Sequence, residues 1–160
     1  MFDRLFPKQL DNSFRGYRLA IWLFVPIILL KTVIGVNSIV MTRQVASSAD
    51  GIPLDSYGAA AAQAVIALFA LLGLWQLILA LIAFAALLRY RAMIPFLYLV
   101  LLIQMLGNRA LNFLHPIAKA ASSGPAPGSY LSLGLLAATV LGLLLSVLDG
   151  AKSPQPIAKG

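Results

Sequence analysis

The 160-residue chain is 61% hydrophobic and 11% charged, carries a net charge of +7, and contains no cysteine. An ordinary soluble domain is about 25% charged and about 45–50% apolar, so the composition points to an all-α integral membrane protein. Without cysteine there are no disulfides, thiolate metal sites, cysteine nucleophiles or c-type haem attachments. The surplus of basic residues lies beside apolar spans, where topology and anionic lipid account for it better than nucleic acid does.

The chain opens on a segment, residues 1–16, with Phe2, Leu5, Phe6, Leu10 and Phe14 at near-helical spacing. This pattern predicts an interfacial amphipathic piece, which Pro7 limits to short lengths. The first apolar span covers residues 17–40. Its early run Leu19–Leu30, with a small-residue stretch before Asp50, has the outline of a signal peptide. Lys31 is followed by further span (TVIGVNSIV), which favours a transmembrane helix instead.

The second span, 59–88, is about 45 Å long at helical rise and overshoots a hydrocarbon core of about 30 Å. It therefore either tilts or lifts its first turns, AAAAQA, above the membrane. The third span runs over 93–114 and the fourth over 130–148, leaving a tail at 150–160. Residues 17–149 thus form a domain of four transmembrane helices.

Charge sets the expected orientation. Arg4, Lys8, Arg15, Arg18, Arg89, Arg91, Lys152 and Lys159 flank one side of the spans, against Arg43 and Lys119 on the other. By the positive-inside rule both termini are cytoplasmic. The membrane expected is a bacterial cytoplasmic (inner) membrane.

A shift of 73 residues aligns landmarks without a gap. Tyr17-Arg18 falls on Tyr90-Arg91, Ile21 on Ile94, Leu29 on Leu102, Gly51 on Gly124, Ser56-Tyr57 on Ser129-Tyr130, and Lys31 on Gln104. Two tandem helical hairpins in parallel orientation produce this pattern. So do two unrelated hairpins, because each needs Tyr and Arg at one interface and a Ser cap at the other. Duplication is the favoured explanation.

Two groups of residues stand out within the spans. Gly134, Ala138, Gly142 and Ser146, each four apart, make a small-residue ridge suited to close helix packing, within the chain or between copies of it. In the third span Gln104, Asn108, Asn112 and His115 share one quadrant of the helix, with Arg109 on the flank. Lys31 lies about 20 Å along its helix from Arg18, and Arg109 about 24 Å from Met93. If the first and third helices face each other, these residues line a polar pocket opening outward.

No span interior contains a carboxylate to neutralise Lys31 or Arg109. A cation at a helix centre costs about 2.5–3.5 kcal/mol even on the lenient insertion scale. Arg109 is able to snorkel to phosphates, or to meet Asp50 or Asp55 from the loop. Lys31 calls for water or a partner such as a lipid phosphate, an anionic ligand or an acidic residue of another subunit.

The remaining chemistry is sparse. His115 is the sole histidine, so neither a metal site nor bis-histidine haem is expected. There is no nucleophile elbow, no paired carboxylates and no phosphate-cradling glycine loop. The expectation is a non-enzymatic protein without a cofactor. It binds membrane lipid or a protein partner, or assembles as a homo-oligomer or within a larger membrane complex. The alternative is a small carrier or channel for an anionic or polar solute built on Lys31 and Arg109.

Overall fold

The computed structural model describes residues 5–7, 11–115 and 127–148. Its architecture is all-helical, and four helices are long and apolar enough to cross a membrane. They are α1 (Arg18–Val40), α2 (Ala59–Arg89), α3 (Ile94–Leu114) and α4 (Pro127–Val147). The second span is one unbroken helix of 31 residues, as its uninterrupted apolar sequence requires. The fourth begins at Pro127, earlier than the first apolar residue implied, because proline and glycine are tolerated in an opening turn that has no intrahelical N–H bonds to lose.

Their hydroxyls are satisfied locally. Thr32 Oγ1 donates to the Ile28 carbonyl and Thr42 Oγ1 to the Ser38 carbonyl, each at 2.8 Å, which removes the penalty for a polar group in an apolar surround.

Helix α1 is the centre of the bundle. Its buried residues Ala20, Phe24, Ile27, Ile28, Lys31, Gly35 and Ser38 recur every three or four positions and make one face. That face packs most closely on α2, then on α4, while α3 packs on α4. Every buried residue of α2 is small: Ala62, Gly73, Ala80, Ala83 and Ala86. At the closest approach, a Cβ on Gly73 would lie 2.8 Å from Ser38 Cβ and 2.9 Å from the Gly35 carbonyl oxygen. Several large side chains of α2 are turned outward instead; Leu72 and Trp75 are each 62% exposed.

A second junction joins α1, α3 and α4. Tyr98, fully buried, donates its hydroxyl to the Ala20 carbonyl at 2.7 Å. Its ring stacks obliquely on Phe24 with centroids 4.9 Å apart. The ring also occupies the space where Gly142 would carry a Cβ. Of the small-residue ridge, Gly142 and Ser146 are buried in the bundle, and Ala138 packs against its core. Gly134 does not share this role, since a Cβ there would meet open space. Ala138, Gly142 and Ser146 thus pack within the chain's own bundle.

The two ends differ. At one, a short turn over Arg91–Met93 links α2 to α3, and the core of Phe24, Ile28, Ala83, Leu97, Tyr98 and Leu101 fills the adjoining half of the bundle. The N-terminal segment crosses this turn end. Ala92 N donates to the Asp11 carbonyl, Tyr17 N donates to the Leu145 carbonyl, and Phe6 meets Phe96. Phe2 and Leu10, the other predicted members of that amphipathic segment, lie outside the described residues, as do the 150–160 tail, Lys119, Gly124 and Asp149.

At the other end, α1 continues past Met41 through a helical turn, Thr42–Gln44, and a π-helical turn, Val45–Ala49. Gly51, at φ 74°, reverses the chain; only glycine takes that conformation without strain. Ala46, Ile52 and Leu54 form a small cluster against the start of α2. Arg43 pairs with Asp55 at 2.6 Å on the exposed surface, so Asp55 is engaged there and is not drawn towards Arg109.

Candidate functional site: a polar cavity in the loop-end half

Lys31 is on the inward face of α1, 7% exposed. Its Nζ donates to Gln104 Oε1 of α3 at 3.1 Å and to Gln76 Oε1 of α2 at 3.4 Å. The expectation of a partner from outside the chain is therefore met in part from within it, by two neutral amides. An ammonium group only donates, so both glutamines must turn their carbonyl oxygens towards it. Its third donor has no partner among the described residues.

Gln76 was not among the residues singled out from the sequence. The signal was present: between Gln63 and Arg89 it is the one amide or charged side chain in α2. It faces inward because α2 meets α1 along the line that runs from Gly73 to Ala80.

From Lys31 towards the loop end the four helices enclose a cavity of about 400 Å³. Helix α1 contributes Lys31, Asn37 and Ser38; α2 contributes Gly73 and Gln76. Asn108, Arg109 and Asn112 come from α3 and Ser132 from α4, and Asp50 stands on the connecting loop. Among the described residues lining the cavity, Asp50 alone carries a carboxyl group. A Cβ on Gly128 would sit 2.9 Å from the Ala49 carbonyl oxygen, so the first turn of α4 presses against that loop.

No family model matches this chain, and no curated protein or solved structure is detectably similar to it.

Arg109, placed by helical spacing on the flank of the polar stripe, lines the cavity with Asn108 and Asn112. Its Nη2 donates to Ser132 Oγ at 3.3 Å, while its Nε is buried without a hydrogen-bond partner among the described residues. An unsatisfied buried donor costs about 1–3 kcal/mol. The other two stripe residues part company with the cavity. Gln104 serves Lys31 below it, and His115 is exposed where α3 ends. Among the described residues no group of His, Asp or Glu side chains is arranged to hold a metal ion. The lining is rich in hydrogen-bond donors, which suits it to holding an anion or a polar group by several contacts at once.

Proposed function

We propose that this is a non-enzymatic integral membrane protein that binds an anionic or polar ligand in the loop-end cavity, with Arg109 and Lys31 as its cationic contacts. The observation that carries this reading is that Arg109 and Lys31, basic residues of two different helices, line the same open polar cavity. Asn37, Asn108 and Asn112 add neutral groups around it. With both termini cytoplasmic by the positive-inside rule, the cavity faces the outer half of the bilayer. A bacterial cytoplasmic membrane is the setting proposed, with lipid, a protein partner or a larger complex supplying the ligand.

A test is thermal unfolding of the purified protein in mild detergent against a panel of anions. A binder should raise the midpoint of the wild type and not that of Arg109→Gln. If every anion acts equally on both proteins, the reading fails.

One observation favours a carrier as the second reading. Lys31 and Gln104 coincide under the 73-residue shift, and they touch each other, as positions close to an axis between duplicated hairpins would. A carrier also needs a path through the turn-end half, where Phe24, Ile28, Leu97, Tyr98 and Leu101 are packed together. Binding is therefore the preferred reading. Solute flux into proteoliposomes that is lost in Lys31→Leu would reverse the preference.

A further inference from the structure

In the cavity lining, Lys31 and Arg109 only donate, and Gln76, whose carbonyl oxygen accepts from Lys31, also has its NH2 group to offer. The cavity lining therefore includes N–H groups from three side chains, on two basic residues and an amide. Asp50, on the connecting loop, is an acceptor with a full charge in the same lining. Several donors converging from different helices match an oxyanion with oxygens on more than one side, which describes a phosphate better than a planar carboxylate.

The same cavity is not walled by polar groups alone. Phe69 and Leu72 of α2, Met105 of α3, and Leu131 and Leu135 of α4 also line it. Leu72 and Leu131 are 62% and 44% exposed on the outside of the bundle as well, so the space reaches the surface that lipid chains would cover. The packing explains why. Contacts between α1 and α2, α1 and α4, and α3 and α4 are close, whereas α2 and α3 touch little although a short turn joins them. The gap between α2 and α3 is the open side.

Resting on the proposal that the cavity binds an anion, we infer that its ligand is the phosphate group of a membrane lipid, which enters sideways between α2 and α3. The headgroup reaches Arg109 and the Lys31–Gln76 pair, while the acyl chains stay outside against Leu72 of α2. A volume near 400 Å³ accommodates a phosphate headgroup and leaves the chains in the bilayer.

The experiment measures dissociation constants in detergent for four probes: phosphatidic acid, diacylglycerol with the same chains, oleate and inorganic phosphate. The proteins are the wild type, Arg109→Gln and Leu72→Trp, each first shown to be helical by circular dichroism. Phosphatidic acid should bind tightest, should lose at least about tenfold, or 1.4 kcal/mol, in Arg109→Gln, and should weaken in Leu72→Trp. Inorganic phosphate should bind weakly, depend on Arg109 and be unaffected by Leu72→Trp. Diacylglycerol should not compete.

Inorganic phosphate binding as tightly as the lipid would overturn the lipid source and leave an oxyanion site standing. Oleate binding as tightly as phosphatidic acid, with the same dependence on Arg109, would overturn phosphate selectivity alone. Absence of any Arg109-dependent binding would overturn both this inference and the proposed function.

Discussion

Removing Gln104 tests how Lys31 is held. Lys31 Nζ makes one hydrogen bond of ordinary length to Gln104, 3.1 Å, and a longer one of 3.4 Å to Gln76. A bond to a charged group contributes about 1.5–3 kcal/mol in soluble proteins. Interhelical bonds in a membrane average only about 0.6 kcal/mol and reach about 1.7. Combining the two, we predict that Gln104→Leu lowers stability by about 1–2 kcal/mol and Gln76→Leu by about 0.5 kcal/mol. Lys31→Met should cost less than Gln104→Leu, because it removes the charge along with its need for partners and frees the two amides to bond to each other. The double variant Lys31→Met/Gln104→Leu should accordingly be more stable than Gln104→Leu alone. Unfolding in mixed micelles titrated with dodecyl sulfate, followed by circular dichroism, measures all four. If Gln104→Leu is neutral, or Lys31→Met is the most damaging, the amide cradle does not support the lysine.

Further expectations concern the packing and the turn end. Tyr98→Phe should cost about 1 kcal/mol for the lost bond to Ala20, and the same unfolding titration would show it; Ala20 keeps its helical hydrogen bond, so no large loss is expected. Gly73→Ala should destabilise by about 1–3 kcal/mol through overpacking against Ser38 and Gly35, whereas Gly134→Ala, facing open space, should be neutral or stabilising. At the turn end, the hydroxyl and backbone N–H of Ser13 hold the Asp11 carboxyl below its ordinary value of 3.8. A lowered folded-state pKa gives stability that is present above that ordinary value and is lost as pH falls through the folded one. Ser13→Ala should therefore flatten the acid limb of a stability profile taken from pH 6 downwards. An unchanged limb would mean that Asp11 does not contribute there.

The four spans were legible because each is long and apolar, and only their ends shifted. The faces of α2 were not. In a helix without a polar side, both the inward and the outward faces are hydrophobic, so periodicity carries little information. What separates them is size, with Gly73, Ala80 and Ala83 inside and Leu72 and Trp75 outside. Gly35 falls four residues after Lys31 and so shares its face, yet nothing in the sequence marks Gly73 as its partner. The polar stripe of α3 did indicate which side faces the interior, but not how the helix is rotated within it. The lining takes in Arg109 from the flank of the stripe, and His115 is left out because α3 ends at Leu114. Spacing alone drew the ridge on α4, and it is the contact with Tyr98 that gives Gly142 its place in the chain's own packing, while Gly134 faces open space.

The central claim is that the Arg109 guanidinium binds an anion in the cavity it lines. The direct measurement is the Nε–H signal of Arg109 in 15N-arginine-labelled protein, assigned by its loss in Arg109→Lys and followed as phosphatidic acid is added in detergent. A hydrogen bond to the phosphate should move that signal progressively to saturation, with no movement on adding diacylglycerol. A signal that stays in place while the lipid binds elsewhere would contradict the account.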